Sequence, residues 1–187
     1  MNRKILALLF VLTLLLIPGG CANNSAAPAL TADATVIDTA PVQTAPVRQV
    51  YLAGPFFNDT EIRNVEYAER ILEQKGLSYF SPMRHSVDAE PGTPEWARKI
   101  YEMDVREIEK ADVVVALYYG SNSDTGTAWE CGYAAAIGKP VVLVHTEKDG
   151  DSNLMMHCGC TTNIYLEDLA AFDLDAMPVF EYTGKMF

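Results

Sequence analysis

Hydrophobic positions along the chain alternate between short continuous runs and longer stretches with helical spacing. Five runs rich in β-branched or aromatic residues predict strands: QVYLAG, LSYFSP, DVVVALYY, KPVVLVHT and TNIYLED. The stretch EIRNVEYAERILEQKG has apolar residues three or four positions apart and stops at Gly76, which predicts a helix. Two more helices are predicted by TPEWARKIYEMDVREIEKA, which opens on Thr93 and Pro94, and by GTAWECGYAAAIG, which ends at Gly138.

This alternation of strands and helices is typical of α/β proteins. It predicts a single flavodoxin-like domain, with a five-stranded parallel sheet in the order 2-1-3-4-5 and helices on both faces. Ligands of such sheets bind beyond the carboxyl ends of the strands. We therefore expect the loops YLAGPFFN, YYGSNSDTG and HTEKDGDSNLMM to surround one crevice.

The first twenty residues have the layout of an export signal rather than of a fold. A basic start, MNRK, precedes the 13-residue apolar stretch ILALLFVLTLLLI, which is too short to span a membrane as a helix. The following PGGC resembles a bacterial lipoprotein cleavage site, although Pro18 stands where an aliphatic residue is usual. We predict a signal peptide at 1–20, lipidation at Cys21 and anchoring at the outer face of a bacterial cytoplasmic membrane. The alternatives are an uncleaved anchor and a plain secretory signal.

Residues 21–47 are rich in Ala, Thr and Pro and poor in large apolar residues, which predicts a disordered tether. Residues 48–187 then form one domain. Removing residues 1–20 takes away Arg3 and Lys4 and no acid, leaving 12 basic and 25 acidic residues, a net charge of −13. This charge argues against nucleic acid polymers and anionic membrane surfaces as partners, so we expect membrane contact through the lipid anchor only.

The cysteines of the domain do not form a recognisable metal motif. The domain has three cysteines, Cys131, Cys158 and Cys160, and this odd number does not suggest a framework of disulfides. The stretch HCGC at 157–160 lacks a standard zinc-ligand spacing and a fourth ligand. Ordinary packing is the better interpretation. We predict no metal and no cofactor.

Two carboxylates lie where the pattern predicts buried positions. Asp104 falls between Ile100 and Ile108 in the apolar stripe of its helix, where a lone carboxylate is costly unless partnered or protonated. Glu130 lies near the start of an otherwise apolar helix, six residues after Asp124, and the helix dipole favours its ionised form. An ionised carboxylate beside a protonated one is the arrangement used in retaining glycoside cleavage. Capping or pairing of Glu130 within its helix explains the spacing equally well.

Four segments resemble the nucleoside 2-deoxyribosyltransferase family: YLAGPFF, the Asp104 helix, DTGTAWECGYAAAIGKP and SNLMM. Together and in this order they cover nearly all of residues 49–187. The resemblance implies transfer of a 2-deoxyribosyl group between purine or pyrimidine bases, with Glu130 as the nucleophile that holds the sugar as an ester. It also implies that Asp104 and Asp124 are the acids near the base and that Tyr51 orients the nucleophile.

The resemblance also implies a set of substrate-binding residues: Gly54, Phe57, Asn153 and Phe187. Phe57 is expected to form a wall of the base pocket, and Phe187 to help through its carboxylate. Asn153 is expected to bind the 5′-hydroxyl of the sugar from a neighbouring subunit, which makes the protein a homo-oligomer. The partners are then 2′-deoxynucleosides, free nucleobases and a second copy of the chain. In SPMRHS, Arg84 and His85 are candidates for base selection.

Three other functions compete with base transfer. A nucleoside or deoxynucleotide N-glycosidase of the same fold would hydrolyse the bond, and GSNSDTG is a partial candidate for a phosphate cradle. A tethered nucleoside-binding protein would not need three convergent carboxylates. A flavodoxin-like electron carrier needs a small, hydroxylated phosphate loop where this chain has GPFFND.

Overall fold

The computed structural model describes residues 46–148, 150–180, 182 and 184–187. The predicted signal peptide at 1–20, the lipidated Cys21 and nearly all of the predicted tether lie outside these residues. Val47, at the end of the predicted tether, is buried, and its backbone N–H donates to the carboxylate of Asp175. Within the described part of the chain, no helix is both long and apolar enough to cross a membrane.

Five strands form one parallel sheet. They are β1 (Gln49–Ala53), β2 (Ser78–Phe80), β3 (Val113–Tyr118), β4 (Val141–His145) and β5 (Thr162–Tyr165). Their order is β2-β1-β3-β4-β5, which confirms the predicted order and fold class. Every residue of β3 and β4 is buried, as expected for apolar runs without alternation.

In the described part of the chain, four α-helices accompany the sheet: α1 (Asp59–Gln74), α2 (Pro94–Lys110), α3 (Thr125–Ala136) and α4 (Leu154–Gly159). The first three coincide with the predicted helices. The Oγ1 of Thr93 caps α2 by accepting the N–H of Trp96 at 3.2 Å, and Pro94 is its first residue, as the sequence indicates. The sequence pattern did not predict α4, which has only six residues.

The pleat of β1 decides which side chains face which helices. Val50 and Leu52 belong to the core cluster that includes the buried face of α1, whereas Tyr51 and Ala53 belong to the cluster that includes residues of α2 and α3. A tyrosine hydroxyl is thereby directed toward the side of the sheet where the two carboxyl-bearing helices pack.

The loops after β3 and β4 meet at the carboxyl edge of the sheet, as predicted. Gly120 lies in the left-handed region, with φ of +60°, and a Cβ there would stand 2.7 Å from the backbone oxygen of Asp151. Only glycine therefore allows this contact. The close approach holds the segment leading to α3 against the segment leading to α4.

Candidate active site

Tyr51 and Glu130 form a short hydrogen bond between the sheet and α3. The Tyr51 hydroxyl donates to Glu130 Oε1 at 2.6 Å, and the tyrosine is fully buried. Burial first, and then the negative charge of Glu130, raises the pKa of Tyr51, so this hydroxyl remains a proton donor. The bond fixes one carboxylate oxygen of Glu130 and leaves Oε2 for other contacts.

Asp104 shares a cavity with Glu130. The cavity has a volume of about 310 Å³ and is lined by Tyr101, Asp104, Gly126, Trp129 and Glu130. The Oδ1 atom of Asp104 is buried, and it has no hydrogen-bond partner among the described residues. A buried oxygen without a partner is costly, and a substrate proton or hydroxyl would relieve that cost.

Burial raises the pKa values of both carboxyl groups toward neutrality. The pKa of Asp104 rises to about 6, because desolvation outweighs the opposing influence of His85. The pKa of Glu130 rises to about 7 through burial, with smaller contributions from the charges of Asp104 and Asp124, while the Tyr51 hydrogen bond opposes the shift. Near pH 7 the free protein therefore holds part of a proton in this pair.

Burial of Glu130 opposes the effect of the helix dipole, which was expected to favour its ionised form. Glu130 is the sixth residue of α3, which begins at Thr125. The influence of the dipole falls off within the first turn, so desolvation outweighs it at this position.

The raised pKa of Glu130 predicts a stability that falls as the pH rises. Its pKa is about 7 in the folded protein against 4.5 for an unperturbed glutamate, so ionisation is disfavoured in the folded state. We expect the free energy of unfolding to decrease from about pH 4.5 to pH 7. Glu130→Gln should remove the share of this decrease that Glu130 contributes, leave the share that the raised pKa of Asp104 contributes below about pH 6, and stabilise the protein at pH 8 by up to about 3 kcal/mol. The measurement is urea unfolding at several pH values.

The matched control is Glu102→Gln, on the exposed face of α2. It should leave the pH dependence as it is in the unmodified protein. An unfolding free energy for Glu130→Gln that runs parallel to the unmodified protein between pH 4.5 and 8 would show that Glu130 is not the group concerned.

Aromatic rings flank the carboxyl pair. Trp129 stacks on Tyr133 with ring centroids 5.3 Å apart and an interplanar angle of 6°, and it lies 5.4 Å from the ring of Tyr101. Trp129 remains 46% exposed. The sequence analysis missed Tyr101, although its position three residues before Asp104, on the same side of α2, could have indicated it.

Asp124 lies on the other side of the α3 N-terminus. Its Oδ2 caps α3, accepting from the backbone N–H of Thr127 at 2.8 Å and from its hydroxyl at 3.2 Å. It lines a second cavity of about 640 Å³ together with Asn153 and Phe187. Gly126 lines the cavity of Asp104 and Glu130, and a Cβ there would approach Asp124 Oδ2 to 2.8 Å.

Backbone contacts hold Asn153 and Phe187 in place. The N–H of Asn153 donates to the Tyr118 hydroxyl at 2.8 Å, and Asn153 Oδ1 caps α4 by accepting the N–H of Met155 at 2.9 Å. Phe187 pairs with the segment before α4, donating to the carbonyl oxygen of Ser152 at 3.0 Å. Within one chain, Asn153 and Phe187 thus share a cavity with Asp124 and not with Glu130.

The structure does not bring the two residues after β1 into either cavity. Phe57 is 76% exposed, and among the described residues its ring stacks on Phe56, with ring centroids 5.8 Å apart. Gly54 has a packing reason to be glycine, because a Cβ would lie 3.1 Å from the Cβ of Leu117. Their roles in substrate binding remain predictions.

Arg84 and His85 lie in the same loop but contact different parts of the protein. Arg84 is held by the buried Glu69, donating from Nη2 at 2.6 Å, so its guanidinium is committed to an ion pair on α1. His85 stacks on Phe80 with ring centroids 4.1 Å apart, and its charge influences the pKa of Asp104. Of the two candidates for base selection, only His85 acts on the carboxyl pair.

The cysteines do not join this site as a metal centre. Cys131, Cys158 and Cys160 are free thiols, and within the described residues no group of three or more His, Cys, Asp or Glu side chains is arranged to hold a metal ion.

Known proteins with similar sequences are named for deoxyribosyl transfer or for N-hydrolysis. A sequence model described as nucleoside 2-deoxyribosyltransferase matches residues 50–169. The nucleoside deoxyribosyltransferase of Limosilactobacillus fermentum is 33% identical over 129 residues, which cover 61% of this chain and 77% of that protein. A Thermofilum pendens protein, named as a candidate 2′-deoxynucleoside 5′-phosphate N-hydrolase, is 34% identical over 119 residues, covering 60% of this chain and 78% of that protein.

A solved structure agrees in fold. The 2-deoxyribosyltransferase of Bacillus psychrosaccharolyticus is similar with a TM-score of 0.66 at 32% identity, covering 72% of this chain and 98% of that one. Because the family match covers most of the described domain and includes Tyr51, Asp104 and Glu130, the chain belongs to the nucleoside 2-deoxyribosyltransferase family.

Proposed function

We propose that this protein transfers the 2-deoxyribosyl group of a deoxynucleoside to another base through a covalent ester on Glu130. The observation that supports this most directly is the Tyr51–Glu130 hydrogen bond of 2.6 Å beside the buried Asp104. One carboxylate is positioned by a proton donor, and a second lies in the same cavity with a pKa raised to about 6. This pairing suits nucleophilic attack with assisted departure of the base.

The first half of the reaction forms the ester. Glu130 Oε2 attacks the anomeric carbon, and the bond between this carbon and the base nitrogen breaks. The electron pair of that bond stays with the base, which receives a proton from Asp104. Positive charge that develops on the sugar is stabilised by the clustered carboxylates.

The proton must lie on Asp104 and not on Glu130 when the reaction begins. In the free protein burial raises the pKa values of both groups toward neutrality, to about 6 for Asp104 and about 7 for Glu130. The Tyr51 hydroxyl stabilises the ionised form of Glu130, and a base nitrogen that accepts a hydrogen bond from Asp104 stabilises the protonated form of Asp104. We therefore propose that substrate binding places the shared proton on Asp104.

In the second half of the reaction a new base, rather than water, accepts the sugar from the ester. Its ring nitrogen attacks the anomeric carbon, its proton returns to Asp104, and Glu130 departs as a carboxylate. The aromatic rings of Tyr101 and Trp129 line the same cavity and would help to keep water from the ester.

A neutral sugar is favoured over a 5′-phosphate. None of the residues that line the cavity of Asp124 and Asn153 is Lys or Arg, so the charges expected for phosphate recognition are missing from its walls. Hydrolysis remains the second candidate function, because a relative named for N-hydrolase activity is 34% identical to this chain.

Base exchange separates these functions in one assay. The protein is incubated with deoxyinosine, with and without free adenine, and the products are separated by chromatography. Formation of deoxyadenosine supports transfer, hypoxanthine without deoxyadenosine supports hydrolysis, and unchanged deoxyinosine would contradict both.

We further propose that the active form is an oligomer in which Asn153 of one chain serves Glu130 of another. Within a chain these residues line different cavities. Several large apolar side chains on and around α3 and α4 are at least 46% exposed in the single chain: Trp129, Leu154, Met155, Met186 and Phe187. Burying such a surface between copies would stabilise the assembly.

Complementation tests this sharing. Glu130→Ala and Asn153→Ser chains should each be inactive alone, and Ser keeps the ability to cap α4. Refolded together, they should recover about a quarter of the activity of the unmodified protein, since half of randomly formed dimers are hybrids with one intact site. No recovery in hybrids verified by mass would place Asn153 in its own chain's site.

We also propose that the protein is exported and held at the membrane by lipid on Cys21, on the basis of the MNRK start, the apolar stretch and PGGC. Cys21→Ser should leave base exchange unchanged and either release the protein from the membrane fraction or leave its signal uncleaved. Cell fractionation with intact-mass analysis measures both. Unchanged processing and unchanged location would show that Cys21 is not lipidated.

A further inference from the structure

A cavity of about 480 Å³ lies at the β5 edge of the sheet, apart from the carboxyl pair. This volume falls within the range of small-molecule sites in proteins, roughly 300–1,000 Å³. None of its lining residues lines the cavity of Asp104 and Glu130. The residues that matter for its chemistry are His145, Asn163, Tyr165, Phe172, Phe180 and Tyr182.

The floor of this β5 cavity carries the side-chain amide of Asn163. Asn163 is 7% exposed, and its Oδ1 lies 3.1 Å from Nε2 of the buried His145. Burial lowers the pKa of His145, so the neutral ring donates its Nε2–H to Asn163. Among the described residues, no acceptor lies within hydrogen-bond distance of the Asn163 amide nitrogen. Asn163 lines the cavity, so its amide is available to a ligand there.

Aromatic rings form the walls. Tyr182 stacks on His145 with ring centroids 4.4 Å apart and an interplanar angle of 12°. Phe172 and Phe180 lie 6.2 Å apart, and Phe180 is 51% exposed. Such walls favour a flat ring that can stack against them.

The charge of the lining restricts the ligand further. Among the described residues of the lining, the carboxylates are Asp168 and Asp173, and none is Lys or Arg. Phosphates and other anions would be repelled here. A neutral ring that accepts a hydrogen bond satisfies the Asn163 amide at no electrostatic cost.

We propose that the β5 cavity is a second binding site, for a neutral planar nitrogen heterocycle that accepts a hydrogen bond from the Asn163 amide. Nucleobases belong to this class, and choosing one as the probe rests on the proposed function. The site is separate from the carboxyl pair, so each can be filled or blocked without the other.

Equilibrium dialysis with labelled adenine tests the proposal on the full chain. Ala171 is exposed and lines the cavity, whereas Ala170 is exposed and does not, so Ala171→Trp should fill the site and Ala170→Trp is the matched control. Ala171→Trp should bind one adenine fewer per chain than the control, or bind it at least tenfold more weakly. This difference is expected whether or not adenine also binds beside Glu130, so failure of the proposed function would not hide it.

Equal adenine binding by the two tryptophan variants would overturn the proposal. Indole, which has the shape of a purine but no ring acceptor, tests the role of the Asn163 amide. At tenfold excess, indole should not displace the adenine whose binding Ala171→Trp weakens. Displacement by indole would show that the cavity binds flat rings whether or not they accept a hydrogen bond, which contradicts the proposed role of the Asn163 amide.

Discussion

Glu130→Gln is expected to lower kcat/KM for base exchange by at least about 10³-fold, because the ester cannot form without a carboxylate nucleophile. The glutamine keeps a carbonyl oxygen to accept the Tyr51 hydrogen bond, so the fold and the cavity should persist. Steady-state exchange between deoxyinosine and adenine measures the loss. Circular dichroism and thermal unfolding verify that the variant is folded.

Glu102→Gln, on the exposed face of α2, is the control and should retain the activity of the unmodified protein. Exchange by Glu130→Gln within tenfold of the unmodified protein would remove Glu130 from the role of nucleophile. A large loss shared by both variants would point to a general effect of charge and would contradict the specific assignment.

The second large effect concerns Asp104. Asp104→Asn should slow release of purine bases by about 10²–10⁴-fold, because proton transfer from a positioned acid is worth this much. The defect should shrink for nucleosides whose bases leave easily without protonation. Single-turnover rates for a series of bases with different leaving-group pKa values measure this dependence.

Asp124→Asn is the matched comparison. Asp124 caps α3 through Oδ2, and asparagine is an equally good cap, so this variant should keep its structure. If Asp124 acts mainly as a cap, its loss of rate should be smaller than that of Asp104→Asn and should not depend on the leaving group. Equal losses for good and poor leaving groups in Asp104→Asn would mean that Asp104 does not supply the proton.

The sheet could be predicted because its signals are local. β3 and β4 are apolar at nearly every position, and α2 begins at a threonine–proline pair, so strand and helix positions follow from short stretches of chain. The parallel order followed from the alternation of strands with helices. α4 was missed, because six residues are too few to show a helical period.

The site could be predicted only in part. An acidic residue in an apolar helical stripe indicated Asp104, and the resemblance indicated Glu130 and Tyr51. The raised pKa of Glu130 was not predicted, because it depends on burial by residues distant in sequence, which no local pattern reports. The commitment of Arg84 to Glu69 is likewise a tertiary contact, between a loop and α1.

Trapping the sugar on the protein tests the central proposal most directly. A 2-fluoro-arabinosyl nucleoside should form the ester and release it slowly, because fluorine destabilises the positively charged transition state. Mass spectrometry of the digested protein should find the fluorinated sugar on the peptide that contains Glu130, and none of it in Glu130→Gln. An unlabelled protein that nevertheless exchanges bases, or a label on any other residue, would contradict the proposed mechanism.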